Sequence, residues 1–178
     1  MKIIALDPSL TATGMAALDF QARHVLAWDC VRTKPDNGVG RKTDDLARRV
    51  REVFQGVADF IEDHQGALAI KTQTASSYGQ ASLKNVGMLM AGYSACICAG
   101  AMYGKKPILV MPATVKHRVT GHKGASKQEA WNHAAKHFTS LPPLPSSRVP
   151  REAVQDAVAV GLAALPELQQ YHDFTGVR

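Results

Sequence analysis

Asp7 closes a short apolar run and is followed by Pro8-Ser9-Leu10-Thr11-Ala12-Thr13-Gly14. A carboxylate at the end of a buried strand stands at a sheet edge, where ligands bind. The hydroxyls and the glycine behind it let the chain turn tightly towards a phosphate or a metal ion. The same pattern also suits a structural turn with a capping aspartate. A second cluster is basic. From Pro112 to Lys127 the chain carries lysines at 116, 123 and 127 with Arg118 between them, a patch suited to phosphate contacts. His117 and His122 lie in the same stretch and fit either a phosphate contact or a plain loop. His133 and His137 are four apart, a zinc-compatible spacing on a helix, but no third ligand accompanies them and they read as surface histidines. Cys30, Cys96 and Cys98 form an odd, sparse set, expected to be buried free thiols in a reducing compartment. Gly38-Val39-Gly40 is too sparse for a phosphate loop.

Strands and helices must hold these groups. Residues 2–6, 14–18 and 25–32 read as three strands joined by short turns, an antiparallel meander. A helix opens at Thr43, with Leu46, Val50, Val53, Phe54, Val57 and Ile61 as its buried stripe and Arg48, Arg49 and Arg51 on the solvated side. Residues 67–70 are a fourth strand, followed by a polar loop over 72–80. Residues 82–103 are apolar and rich in small side chains, a helix that is buried or pairs with a second copy. Residues 108–111 make a fifth strand between Pro107 and Pro112. Ser126-Lys127-Gln128-Glu129 is a capping box that starts another helix. A proline-rich loop spans 141–150, and the last helix runs over 151–165 and stops near Pro166. The order is that of one α/β layered domain over 1–178.

Composition sets the class of partner. The 178 residues carry a formal net charge of +6, which favours phosphate-rich partners. No apolar run is long enough to cross a bilayer, and an acid interrupts the short apolar start, which does not read as a signal peptide. A cytoplasmic location and no membrane partner are expected.

An acid followed by a hydroxyl- and glycine-rich turn occurs in two enzyme groups, metal nucleases of the RNase H fold and ATPases or sugar kinases of the actin-like fold. The second group needs two such domains around its nucleotide, and this chain is too short for both. The first group fits more of the chain. Ile4-Ala5-Leu6-Asp7-Pro8-Ser9 with Thr13-Gly14, Val31-Arg32-Thr33-Lys34, Leu68-Ala69-Ile70, Ser82-Leu83-Lys84, Pro112 through Gly121 with Ala125-Ser126-Lys127, and Asp156-Ala157-Val158-Ala159-Val160 follow one another in order. In these segments the chain resembles RuvC-like Holliday junction resolvases. The resemblance implies an RNase H-like fold, a five-stranded mixed sheet flanked by helices. It also implies a homodimer that cuts paired strands at four-way DNA junctions, with a bacterial or phage source. The implied cofactor is Mg²⁺, with Mn²⁺ as a substitute, held by four carboxylates. Two hard cations about 4 Å apart activate a water and steady the leaving oxygen, and oxygen ligands suit them.

The resemblance assigns Asp7 and Asp156 to two of the four acids. At the other two positions the chain departs from the pattern. Lys71 stands where the family places glutamate, and no Asp or Glu occurs between Asp63 and Glu129 to replace it. Ala153 stands three before Asp156, where an acid is expected. Glu152 shares that helix face and is the substitute ligand, or else an ordinary first-turn acid. An ammonium at 71 would repel metal ions, or partly replace one by pairing with Asp7. The resemblance further implies that Lys127 and Lys116 steady the scissile phosphate. Lys123, Arg118 and Lys84 would contact DNA, and Tyr78, in the loop facing the junction, would stack against bases. The expected function is therefore junction resolution by two-metal phosphodiester hydrolysis, impaired in this chain. The alternative is a non-catalytic junction-binding protein on the same fold.

Overall fold

The computed structural model describes residues 1–36, 38, 41–72 and 83–175, with the backbone alone for 83–85 and 171–175. The strands are β1 (Lys2–Asp7), β2 (Ala12–Asp19), β3 (His24–Arg32), β4 (Ala67–Lys71) and β5 (Ile108–Val110). The helices are α1 (Lys42–Asp63), α2 (Leu83–Met102), α3 (Pro112–Thr120), α4 (Lys127–Ala135) and α5 (Arg148–Thr175). The five strands form one sheet in the order β3-β2-β1-β4-β5. β1, β2 and β3 pair antiparallel, as the meander requires, while β4 and β5 join in parallel. The sheet is mixed because β4 and β5 are each reached through a helical crossover.

Side chains alternate across a strand, so each strand feeds two cores. Ile3, Ala5, Ala16, Leu18 and Ala69 face α3, α4 and α5. Ile4, Leu6, Met15, Ala17, Leu68 and Ile70 face α1 and α2. A strand covered on both faces needs apolar residues at every position, which is why β1 reads as an uninterrupted run.

Several local expectations need correcting. The buried stripe of α1 includes Arg49, which is 4% exposed, whereas Leu46 is 39% exposed. Arg49 is tolerated inside because its Nε donates to Thr33 Oγ1 at 2.8 Å, and Thr33 in turn donates to the Leu10 carbonyl. The last helix begins at Arg148 rather than 151 and passes through Pro166. Pro150 fits because first-turn N–H groups have no helical partner to lose. Beyond Pro166 the helix continues with Leu168 buried, and Arg118 donates to the Ala163 carbonyl and to Glu167, one on either side of the proline. Of the cysteines, only Cys96 is buried. Cys98, two positions along α2, faces the opposite side and is exposed, and Cys30 is intermediate. The capping box stands as expected, with Glu129 N–H donating to Ser126 Oγ and Ser126 N–H donating to Glu129.

The segment that leads into the proline-rich loop does not hang free. Arg23 Nε donates to the His137 carbonyl, Thr139 N–H to the Arg23 carbonyl, and Val25 N–H to the Ser140 carbonyl. Trp28 Nε1 reaches the Pro143 carbonyl at 3.2 Å, and its ring stands edge-on to Trp131. Residues 137–143 thus lie along the outer edge of β3, an edge strand otherwise open to pairing with another chain.

Candidate active site

Alternation decides which way the end of each central strand points. Ile3 and Ala5 face α5, so Asp7 does too, and Ala69 sets the same direction for Lys71. β1 and β4 run parallel with Leu6 beside Ile70, so the next positions, Asp7 and Lys71, are neighbours. On the other side Asp7 pairs with Gly14 of β2. A Cβ at Gly14 would stand 2.0 Å from the Ala153 carbonyl oxygen, so only glycine lets α5 lie this close to the sheet. That close approach brings Asp156, three residues along α5, to the end of β1.

The result is a cluster of two acids and two lysines. Lys71 Nζ is ion-paired with Asp7 Oδ1, and both side chains are largely shielded from solvent. Lys127 Nζ, from the start of α4, donates to Asp156 Oδ2 at 2.7 Å. Burial, the dominant influence, raises the Asp7 carboxyl above its ordinary value, and the charge of Asp156 raises it further against the opposing pull of Lys71 and Lys127. For Lys127, partial burial acts downward, but the hydrogen bond and charge of Asp156, with Asp7 and Glu152 behind them, together hold its ammonium above the usual value.

Glu152 is drawn elsewhere. Arg148 Nε donates to its Oε1 at 2.5 Å, one turn earlier on α5. That hydrogen bond chiefly holds Glu152 below its usual range, with the Lys127 charge acting in the same direction. The Arg148–Glu152 spacing of four was there to be read in the sequence, but with the last helix expected to start at 151 Arg148 fell in the preceding loop and the pair was missed. Ala153 is buried against β2 and offers no side-chain ligand.

The turn after Asp7 spends its hydroxyls on itself. Thr13 Oγ1 donates to the Ser9 carbonyl at 2.6 Å and accepts from Ser9 N–H, while Thr11 N–H donates to Ser9 Oγ. Gly92 of α2 packs against this turn, with its missing Cβ 2.6 Å from Leu10 N. The role of Gly92 left no signal in the sequence, because it serves a contact more than eighty residues away. In the basic segment, Lys116 is partly exposed and Lys123 exposed, both open to a phosphate. Arg118 is engaged by Glu167 and the Ala163 carbonyl, where it fastens α3 to α5. His117, His122, His133 and His137 are exposed. Lys84 lies in the first turn of α2, where only the backbone is described, and Tyr78 lies outside the described residues.

The family described as crossover junction endodeoxyribonuclease RuvC matches residues 3–164. The chain belongs to the RuvC family. A RuvC from Bradyrhizobium diazoefficiens is 26% identical over 163 residues, covering 91% of this chain and 85% of the relative. The fold matches that of Thermus thermophilus RuvC with a TM-score of 0.75 at 20% identity, covering 96% of this chain and 97% of that one. A structure of Thermus thermophilus RuvC in complex with a Holliday junction substrate matches equally well, with a TM-score of 0.75 at 19% identity. The sheet and helices are therefore those of the RuvC, RNase H-like fold. The activity of the RuvC family is that of a crossover junction endonuclease, a resolvase acting in DNA recombination and repair.

RuvC-family nucleases are metal-dependent, and the donor set of this chain does not fit such a centre. Among the described residues no three His, Cys, Asp or Glu side chains are grouped to hold a metal ion. Each of the two acids that face one another already carries a lysine. No described helix is long and apolar enough to cross a membrane.

Proposed function

We propose that this chain is a RuvC-type protein of four-way DNA junctions, a single nuclease domain over 1–178 acting in the cytoplasm as a homodimer, whose cutting step is impaired. The observation that carries this reading is the ion pair between Lys71 and Asp7. Hydrolysis by two Mg²⁺ or Mn²⁺ ions needs clustered carboxylates. Here Lys71 and Ala153 stand at two of the expected positions, and Glu152, the candidate substitute, is held by Arg148. Asp7 and Asp156 remain in place, and Lys127, Lys116 and Lys123 present positive charge for DNA phosphates.

The dimer is supported by exposed apolar side chains at the end of α2 and on β5. Met102 at the end of α2 is 57% exposed, and Leu109 of β5, on the face shared with α2, is 51% exposed.

One series tests the reading: junction binding and Mg²⁺- or Mn²⁺-dependent cleavage by the unaltered chain, by Lys71→Glu, and by Lys71→Glu with Ala153→Asp. The unaltered chain is expected to bind a four-way junction in preference to duplex and to cut it very weakly or not at all. The double variant is expected to regain cutting. Efficient cleavage by the unaltered chain would refute the impairment. Tight binding with no cutting by either variant would favour a dedicated junction-binding protein.

A further inference from the structure

We propose that Lys71 is the resident cation of this centre: its ammonium excludes divalent metal from Asp7 and itself contributes a phosphate contact to DNA binding. The inference rests on the junction reading above and specifies how its charged centre works. Register, not chance, puts the ammonium there. Lys71 follows Ile70, which pairs in parallel with Leu6, so its neighbour across the sheet is Asp7. Both side chains are mostly out of solvent, where charge pairs are weakly screened.

A divalent ion arriving at Asp7 would have to displace Lys71 and then remain beside its positive charge. It would find no third carboxylate grouped there among the described residues. The remaining acid, Asp156, is held by Lys127, and Glu152 by Arg148. The two acids and two lysines cancel in formal charge without any metal ion.

An ammonium has three N–H donors, and a carboxylate bond uses one of them. Lys71 can keep Asp7 and still donate to a phosphate oxygen. Lys127, with its side chain 63% exposed, can do the same from Asp156. Two bridging ammoniums thereby offer hydrogen bonds to a phosphodiester at the end of β1, the place where the family's chemistry calls for metal.

Two measurements on the purified full chain test this. The first is Mn²⁺ uptake, followed by loss of the free-ion electron paramagnetic resonance signal, in the unaltered chain, in Asp7→Asn and in Lys71→Glu. The unaltered chain is expected to take up no stoichiometric Mn²⁺, and Lys71→Glu to take up Mn²⁺. Stoichiometric uptake by the unaltered chain that disappears in Asp7→Asn would overturn the proposal. The second is DNA affinity in EDTA as a function of salt, for the unaltered chain, Lys71→Gln and Lys71→Arg. Loss of one phosphate contact should weaken Lys71→Gln by roughly tenfold and reduce its salt slope by about one, with Lys71→Arg largely restoring both. Equal affinity and slope in Lys71→Gln would remove the phosphate contact. If the unaltered chain binds duplex and junction alike, the junction reading fails while both measurements still judge Lys71. A chain that binds no DNA at all refutes the junction reading and the phosphate contact, and Mn²⁺ uptake then decides the exclusion of metal by itself.

Discussion

At position 71 a glutamate would set a second negative charge against Asp7, and the lysine found there sets a positive one. The backbone holds either side chain in the same place, so the charge of the centre is a property of single residues. Two residues nearby show how narrowly that place is defined. Gly14 has the Ala153 carbonyl where a Cβ would stand, with backbone on both sides of the conflict. Gly14→Ala is therefore expected to lower stability by about 1–3 kcal/mol or more, measured by urea denaturation, as α5 is forced off the sheet. An unchanged midpoint would mean that the helix is not seated as described. Thr33 accepts from the buried Arg49 and bonds the Leu10 carbonyl with the same hydroxyl. Thr33→Val keeps the shape but takes the acceptor away from a buried charged donor, and a loss of about 1–3 kcal/mol is expected in the same assay.

Within elements, α4 carries Lys127 and is fixed at its start by the Ser126–Glu129 box. The Ser126 backbone N–H, followed by the Ser126 side chain, holds the Glu129 carboxyl below its ordinary value of 4.5. A carboxyl lowered by folding stabilises above its unfolded pKa, and that contribution is lost as pH falls through the lower folded value. The melting temperatures of the unaltered chain and of Glu129→Gln should therefore differ near pH 7, with the gap narrowing as pH falls below 4.5. A gap that stays constant across that range would deny the box its electrostatic part. This box was legible in the sequence, as were all five strands, because caps and short apolar runs are local patterns. The Lys71–Asp7 pairing was legible only through the resemblance, which put both positions at one centre. Arg49 was misread because helical periodicity counts polarity and cannot see that Thr33 waits inside to accept its N–H. Pro166 was misread for a similar reason. A proline weakens one helical bond, and contacts from α3, including those of Arg118, outweigh that loss.

The whole molecule treats its two sheet edges differently. β3 is lined by residues 137–143, with Trp28 anchored to the Pro143 carbonyl, while at the other side of the sheet Leu109 of β5 and Met102 of α2 stay open. Association is expected on the open side. Leu109→Lys combined with Met102→Lys should shift sedimentation from dimer towards monomer at micromolar concentration, with little change in the circular dichroism of the fold. A monomeric unaltered chain would argue against the dimer. The apolar helix over 82–103 was read as a pairing element beforehand, but the covering of β3 was not, since it depends on contacts between segments more than a hundred residues apart. The meeting of Gly14 with the Ala153 carbonyl has a last consequence. Because main chain rests on main chain there, the socket at the head of the sheet keeps its shape whichever side chains are plugged into it. Glutamate and lysine codons differ by a single base, so a lineage can exchange one insert for the other at position 71 without remaking the frame that holds it.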